Sequence, residues 1–265
     1  MKAFTICATD RSSAAGSADA RQWAIYALGG ALIKAYFALG RPSLAANLIR
    51  AVANAPNKPA LEAYPKADQV TWRFLMGTLA LLDGRWSQAR DELERAWTLC
   101  HRAAQVQQRQ ILTGLIPLEL VVNGRLPSAA LLGPHPTLDA LYGPFIAAVR
   151  RADLAAYDRA LERSLAWAVD KRVFAALERA REVVLRGALR KTWLALGRPN
   201  RVSVGEFQAG LALLGGGGGT RDQPVAVGAE PPAGVAGGVG LDSAEDVECL
   251  LAGMIYKVRP PPSFL

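Results

Sequence analysis

The sequence predicts an all-α protein built as a helical-repeat solenoid, and three observations support that prediction. Apolar residues make up 51% of the 265 residues. Alanine and leucine dominate among them, while β-branched residues are sparse outside short runs, which favours helices over strands. Gly-Arg turns at 40–41, 84–85 and 124–125 each end one apolar helical pattern and precede another. Their glycines lie 44 and 40 residues apart, which is the scale of a helix-pair repeat.

The clearest helix pair surrounds the second of these turns. Gly77, Ala89 and Ala96 are separated by 12 and 7 residues, matching the small-residue positions of a tetratricopeptide-type repeat. Small side chains at these positions let two helices approach closely, and we expect Leu93 and Trp97 to fill the space beside them. Together with the recurrent turns, the pattern predicts a right-handed solenoid of tetratricopeptide-like repeats.

Further turn signals divide the rest of the helical region. Residues 56–65 (PNKPALEAYP) predict a linker between the first and second helix pairs. The Gly-Pro segments at 133–136 and 143–144 predict interruptions after the third pair. Asp153 is expected to be the N-cap of a helix over residues 154–169.

A basic amphipathic stretch over residues 173–196 is the most informative part of the chain. On a helical wheel, Arg172, Arg179, Arg186 and Arg190 fall on one narrow stripe. Apolar residues on the far side predict a helix half-buried in a core; they are Phe174, Leu177, Val184, Leu185 and Leu196.

The net charge of +8 is concentrated around the same stretch. Residues 150–201 contain 13 Lys/Arg and 6 Asp/Glu, a surplus of seven that leaves +1 for the rest of the chain. A local surplus of this size indicates an anionic partner, either nucleic acid or an acidic protein. The alternative is a solvated helix face with internal pairs such as Glu178–Arg181 and Glu182–Arg186. Both interpretations stay open at this point.

The residues after this helix predict the opening of a winged-helix module. Residues 201–204 (RVSV) form a short strand-like run, followed by a helix from about 206 to 214. Residues 215–240 are rich in Gly, Pro and Ala and predict a disordered loop. A last helix, capped by Asp242 or Ser243, is expected to run to residue 257. The order helix, short strand, helix, helix is that of a winged helix.

Catalytic and metal-binding patterns are missing from the sequence. Three cysteines without CxxC spacing predict neither a disulfide framework nor a zinc site, and they fit a reducing compartment. His101 and His135 lack metal-ligand spacing, and neither a nucleophile elbow nor a paired-carboxylate signal occurs. We therefore predict a protein that is not an enzyme and has no cofactor or metal. All six tryptophans lie in apolar helical patterns and are interpreted as packing residues rather than base-stacking platforms.

Several strings carry a resemblance to a known family. LERAREVVLRGALRKTWLALG and VECLLAGMIYK resemble the C-terminal half of a PCI domain, and the likeness extends over nearly the whole chain, from about Phe4 to Lys257. The strings PALEAYPKADQVTWRFLMG, ARDELERAWTLCH and QILTGLIPLELV are also similar to this family. The most similar branch contains the signalosome subunit-twelve-like proteins and the PCI subunit of the nuclear mRNA transcription–export complex.

The resemblance implies a domain organisation. Residues 1–170 would form the helical-repeat part of the PCI domain, and residues 171–257 its winged-helix part, with the disordered insertion at 215–240. Residues 258–265 would be a proline-rich tail in place of the wing, because three prolines cannot serve a hairpin. Family members carry a further helical region before the point that matches Phe4.

The resemblance also implies a function. The chain is expected to be a non-catalytic scaffold subunit of a nuclear complex that couples transcription to mRNA export. Its expected location is the nucleus, with the cytoplasm as a second location. Its expected partners are a large scaffold protein, a small acidic peptide subunit and the backbone of RNA or DNA. Basic residues on the winged-helix side would contact that backbone without sequence choice: Arg186, Arg190, Lys191, Arg198, Arg201 and Lys257.

Two other function classes compete with this expectation. One is a purely architectural subunit of a signalosome- or proteasome-lid-like assembly that does not bind nucleic acid. The other is a tetratricopeptide-like receptor for short peptides, which predicts convergent polar residues on the concave helices. The sequence pattern shows no such set of residues.

Overall fold

The computed structural model describes residues 2–9, 21–56, 58–215, 245, 247–249 and 251–253, and these residues contain helices but no β-strand. The all-α prediction is confirmed for them. The α-helices are α1 (Lys2–Thr9), α2 (Ile25–Ala38), α3 (Ala45–Ala53), α4 (Lys66–Leu82), α5 (Trp86–Leu99), α6 (Gln105–Asn123), α7 (Ala129–Leu132), α8 (Pro136–Arg151), α9 (Leu154–Asp170), α10 (Phe174–Ala195) and α11 (Val204–Gly215). Short 3-10 helices occupy Arg21–Ala24, Pro42–Leu44 and Leu61–Ala63. The described residues between 245 and 253 are also helical.

Neighbouring helices pack in chain order, as they do in a solenoid. Helix α2 packs on α3 and α4, α4 packs on α5, and α5 packs on α6. The buried residues of these helices are mainly apolar, and α6 is buried on all sides over residues 111–118. The predicted helical solenoid is therefore present.

The chain forms two compact units, and α8, α9 and α10 contribute residues to both. The first unit comprises Met1–Asp139 and Leu165–Ala180, and the second comprises Ala140–Ser164 and Arg181–Leu265. The predicted domain boundary at residue 170 remains a prediction.

An aromatic cluster stabilises the core of the first unit. The Tyr26 ring meets the rings of Tyr64 and Trp72 edge to face, with centroids 4.6 and 5.0 Å apart. The Tyr64 hydroxyl donates a hydrogen bond of 3.0 Å to the carbonyl of Gln22. Burial raises the pKa of Tyr64 to about 12, so the phenol stays protonated as a donor at neutral pH. The cluster joins α2, the linker and α4.

The close approach of α4, α5 and α6 confirms the small-residue prediction. Ala89 and Ala96 are fully buried, and the Leu93 side chain is buried between two glycines. A Cβ atom on Gly77 would lie 2.7 Å from Leu93 Cγ, and one on Gly114 would lie 2.8 Å from Leu93 Cδ1. Only glycine allows the helices to pack this closely around a leucine.

The glycine turns end the helices as predicted. Gly40, Gly84 and Gly124 have φ angles of 68°, 71° and 64°, in the left-handed region that favours glycine. After α4, the Arg85 amide donates to the carbonyl of Ala80, five residues earlier, and the Gly84 amide donates to that of Leu81. These bonds satisfy carbonyl groups that the helix end would leave without a donor.

Two predicted features of the next helices have opposite outcomes. Asp153 is the N-cap of α9, as expected, because its Oδ1 accepts a hydrogen bond of 2.8 Å from the Ala156 amide. The break predicted at 143–144 is wrong, since Pro144 lies inside α8. Tyr142, Phe145 and Ala148 around it are buried. Their packing outweighs the backbone hydrogen bond that proline removes, which costs about 3 kcal/mol.

The core of the second unit is also aromatic. The rings of Phe145 and Tyr157 meet edge to face with centroids 5.1 Å apart, and both side chains are buried. Val184 and Leu185 on α10 are buried in the same unit. Burial raises the pKa of the Tyr157 hydroxyl, so this group is neutral at physiological pH.

The strand predicted at 201–204 is wrong. Residues 201–203 have no regular secondary structure, and α11 begins at Val204 rather than at about residue 206. Ser203 and Glu206 form a capping box: the Glu206 amide donates to Ser203 Oγ (3.2 Å), and the Ser203 amide donates to Glu206 Oε2 (2.7 Å). The Ser-x-x-Glu spacing therefore outweighs the strand preference of the two valines.

Removing this cap is expected to destabilise α11. Ser203→Ala should lower the free energy of unfolding by about 1 kcal/mol at pH 7. Hydrogen bonds from the Ser203 amide and hydroxyl lower the pKa of Glu206. A lowered folded-state pKa stabilises the fold above the unfolded-state value, and this contribution disappears as the pH falls through the lowered value.

Urea denaturation followed by circular dichroism at pH 7 and pH 3 measures both effects. Glu206→Gln should be destabilising at pH 7, and its difference from the parent should be smaller at pH 3, because the carboxyl of the parent loses its charge as the pH falls through its lowered pKa. An equal loss at both pH values would contradict the charge-dependent part of the cap.

Several sequence expectations lie outside the described residues. They are the disordered loop at 216–240, the caps Asp242 and Ser243, and the tail at 258–265. Gly215, assigned to the loop, ends α11 instead. In the last predicted helix, Val247 is buried and Leu251 is half-buried, in agreement with the predicted apolar face.

Candidate nucleic-acid interface

The apolar face predicted for α10 is confirmed at its centre. Leu177, Val184 and Leu185 are buried, and Phe174 is half-buried. Leu196 was assigned to the same face but is exposed, because it follows the end of α10 and belongs to the turn after it. The buried centre orients the opposite side of the helix toward solvent.

Arg172 does not belong to the predicted arginine stripe. It lies in the turn before α10 with a φ angle of 61°, and its amide donates to the carbonyl of Val169. Its guanidinium carbon lies 4.7 Å from the ring centroid of Phe37, a cation–π distance. Arg172 therefore has a structural role within the first unit. Arg179 is half-buried.

Arg181 is neutralised internally, although not by the residue that the sequence suggested. Its Nε and one terminal nitrogen bond the two carboxylate oxygens of Asp158 at 2.8 and 3.0 Å. The expected partner was Glu178, one turn away on α10. A bidentate pair with a residue on α9 fits the planar guanidinium better, and it excludes Arg181 from a phosphate-binding role.

Arg186 and Arg190 lie on the solvent side of α10. They are exposed and one helical turn apart, so their side chains project from the same face. Within the part of the chain that the structure describes, neither forms an ion pair or a side-chain hydrogen bond, and the pair expected between Glu182 and Arg186 does not form. Two positive charges on this face therefore lack a counter-charge among the residues that the structure describes.

Lys191 is exposed but has an internal contact. Its Nζ donates a hydrogen bond of 2.9 Å to the carbonyl of Arg150, in the last turn of α8. A cation beside the final carbonyls of a helix is favoured by the helix dipole. Lys191 thus ties α10 to the end of α8 while still contributing a positive charge to the surface.

The turn after α10 brings further cations to the same end of the helix. Gly197 has a φ angle of 80°, and the Arg198 amide donates a hydrogen bond of 3.0 Å to the carbonyl of Trp193. This bond folds Arg198 back against the last turn of α10. Arg201 is exposed two residues before the cap of α11. Neither arginine has an acidic partner among the described residues.

These residues define the junction basic surface: Arg186, Arg190, Lys191, Arg198 and Arg201. All five are exposed: three lie in the second half of α10 and two in the connection between α10 and α11. Lys257, the sixth predicted residue, lies outside the described residues. The arrangement can hold an anionic chain but offers no group for acid–base or nucleophilic chemistry.

Trp193 departs from the prediction made for the tryptophans. Its side chain is 38% exposed, whereas Trp72 is buried. Trp23, Trp86, Trp97 and Trp167 are half-buried, in agreement with a packing role. The sequence could not separate Trp193 from the others, because it also sits in an apolar helical pattern.

A polar cleft of about 590 Å³ in the first unit was missed by the sequence pattern. Its lining includes Arg73, Asp91, Glu94 and Arg95, from α4 and α5. Arg73 is bonded to Glu62 and Glu92, and Arg90 is bonded to Asp91 and Glu94. The charges of the cleft therefore neutralise one another, which leaves little for a charged peptide to bind.

Other candidate chemistry is structural. His101 lies in the turn after α5, where its Nδ1 accepts a hydrogen bond of 3.2 Å from the Ala103 amide. Burial raises the pKa of the neighbouring Cys100 thiol, which keeps it in the unreactive thiol form. Among the described residues, no cluster of His, Cys, Asp and Glu could hold a metal ion. None of the described helices has the length and apolar character needed to cross a bilayer.

Comparison with known proteins gives a consistent set of relatives. The chain is 34% identical over 267 residues to a CSN12 homolog of Neurospora crassa, covering 96% of the chain and 53% of that protein. A CSN12 homolog of Mycosarcoma maydis is 39% identical over 217 residues, covering 77% and 46%. PCI domain-containing protein 2 of Xenopus laevis is 25% identical over 256 residues, covering 97% and 56%.

The chain spans about half the length of these curated relatives, and no family model matches it. The relatives share the names CSN12 homolog and PCI domain-containing protein 2, and the likeness covers most of this chain. With the helical solenoid described above, they confirm the resemblance read from the strings around α4, α5 and α10. The chain belongs to the PCI-domain proteins, in the CSN12-like family.

Proposed function

We propose that the chain is a non-catalytic scaffold subunit of a nuclear complex that couples transcription to mRNA export and contacts the backbone of RNA or DNA. The membership in the CSN12-like PCI family supports the scaffold role. The nucleic-acid role rests on one observation: Arg186, Arg190, Arg198 and Arg201 are exposed without an acidic partner among the described residues.

Free arginines at one end of a helix suit phosphate recognition for a physical reason. A guanidinium presents several N–H donors in a plane, which matches two phosphate oxygens. An arginine already held by a carboxylate, as Arg181 is by Asp158, would lose that pair on binding. Arginines without such a pair can bind phosphate and release the condensed counterions of the nucleic acid.

Neutralising two of these arginines is expected to weaken nucleic-acid binding irrespective of sequence. Arg186→Gln/Arg190→Gln should lower affinity roughly 10- to 100-fold at low salt, and it should reduce the slope of log affinity against log salt by about two. Stability should change by no more than about 0.5 kcal/mol, because both side chains are exposed. Lys191 is left intact, since its bond to Arg150 has a structural role.

A salt titration of binding to a fluorescent RNA strand and a DNA duplex measures both quantities. The matched control is Arg85→Gln/Arg95→Gln, which removes the same charge from two exposed arginines paired with Asp83 and Glu92. The control should bind like the parent. A similar loss in the control would mean that net charge alone drives binding. A parent without binding at low salt would favour the purely architectural subunit.

A further inference from the structure

Trp193 combines exposure with a fixed position. Its side chain is 38% exposed in the last turn of α10. The indole Nε1 donates a hydrogen bond of 3.1 Å to the carbonyl of Pro199, and the Trp193 carbonyl accepts one of 3.0 Å from the Arg198 amide. Gly197 and Arg198 both have positive φ angles, which fold the turn back onto the tryptophan. The turn therefore holds the indole in place.

The hydrogen bond to Pro199 leaves only the apolar face of the Trp193 ring available for a further contact. The indole has one polar group, its N–H, and Pro199 already accepts from it. An exposed ring that is already ordered loses little conformational entropy when another planar group stacks on it. The tryptophans with a packing role are all less exposed than Trp193.

The surroundings of Trp193 indicate what would stack there. Arg190 precedes it by three residues, so the two side chains are neighbours on the helix surface. Arg198 is bonded to its backbone carbonyl. An aromatic ring flanked by cations that lack acidic partners is the combination that binds single-stranded nucleic acid, because a base stacks on the ring while the cations hold adjacent phosphates.

We propose that Trp193 stacks on an unpaired base and makes the junction basic surface prefer single-stranded RNA or DNA over a duplex. The proposal rests on the nucleic-acid binding proposed above and adds a strand preference to it. In a duplex the base faces are covered by neighbouring base pairs, so Trp193 has nothing to stack on. Phosphates are present in both forms, and they do not distinguish a single strand from a duplex.

The test compares binding of a fluorescent single-stranded pyrimidine oligonucleotide and a duplex of the same length at low salt. Trp193→Ala should weaken single-strand binding roughly 5- to 100-fold, the range for losing one stacked base. Duplex affinity should change less than about twofold, and the salt slope should stay the same, because no charge is lost. Trp193→Phe keeps a ring and should recover most of the affinity.

Controls separate stacking from other roles of this turn. Leu194→Ala removes a neighbouring side chain that is 40% exposed and has no aromatic face, so its binding should match the parent. If Trp193→Phe loses as much affinity as Trp193→Ala, the contribution comes from the bond to Pro199, and stacking is wrong. Equal losses for single strand and duplex would also overturn it.

The failure of this proposal and that of the underlying function give different results. A parent that binds neither nucleic acid overturns both. The underlying function is supported if the parent binds and Arg186→Gln/Arg190→Gln lowers the salt slope. If Trp193→Ala then leaves the ratio of single-strand to duplex affinity unchanged, only the stacking proposal is overturned. Thermal melting of every variant checks that the fold is retained.

Discussion

Replacing Leu93 with alanine is expected to lower the free energy of unfolding by about 4 kcal/mol, near the upper end of the range for buried leucines. The side chain is 1% exposed and lies between Gly77 and Gly114, on the two helices that flank α5. Neither glycine has a side chain that could relax into the cavity. The loss should therefore include most of the cavity cost and appear in urea denaturation as a lower midpoint.

The same site predicts a non-additive pair of substitutions. A Cβ on Gly77 would lie 2.7 and 2.8 Å from Leu93 Cγ and Cδ2, and Leu93 cannot retreat because its Cδ1 already lies against Gly114. Gly77→Ala alone should cost about 1–3 kcal/mol. In the Leu93→Ala background the added methyl fills part of the cavity and alanine favours the helix, so the double variant should be more stable than Leu93→Ala.

Gly143→Ala is the matched control for this cycle. A Cβ on Gly143 meets nothing within 4 Å, and the residue lies on α8 rather than beside Leu93. Its effect should be the same with and without Leu93→Ala. If Gly77→Ala also changed the free energy of unfolding equally in both backgrounds, the inference that α4 and α5 approach closely around Leu93 would be wrong.

The first unit could be predicted from the sequence because its signals are local. Gly40, Gly84 and Gly124 mark helix ends, since the left-handed conformation strongly favours glycine. Arg172 adopts the same conformation at the end of α9 without any such signal. A helical wheel therefore placed it on the arginine stripe, while its helix-end bonds and its contact with Phe37 keep it in the turn.

The site could be predicted only in part, because a sequence shows which residues are charged but not which of them form ion pairs or hydrogen bonds in the fold. The surplus around α10 pointed to the junction basic surface. The partner of Arg181 lies 23 residues away, and that of Lys191 is a backbone carbonyl 41 residues away. Neither distance follows a helical period, so a sequence pattern cannot tell these cations from Arg186 and Arg190. The wrong strand prediction at 201–204 has a different cause, because the Ser-x-x-Glu spacing of the capping box is present in the sequence and indicates a helix start.

The packing of α11 against α10 leads to the second large expected effect. A Cβ on Gly210 would overlap Cβ, Oγ1 and Cγ2 of Thr192, and Thr192 is buried. A β-branched side chain on a helix has one or two allowed rotamers, and the overlap includes its Cβ, so no rotation relieves it. Gly210→Ala should therefore cost about 3 kcal/mol despite the better helix propensity of alanine.

Substitution of Gly205, on the same helix, is expected to have the opposite effect on stability. A Cβ there meets nothing within 4 Å, so Gly205→Ala should stabilise the protein by about 0.5 kcal/mol, mainly because alanine lowers the conformational entropy of the unfolded chain. Urea denaturation of the two variants measures the contrast. Because Arg198 and Arg201 lie in the connection between α10 and α11, Gly210→Ala should also weaken nucleic-acid binding while Gly205→Ala leaves it intact. If both substitutions changed the free energy of unfolding in the same direction, α11 would not pack on Thr192.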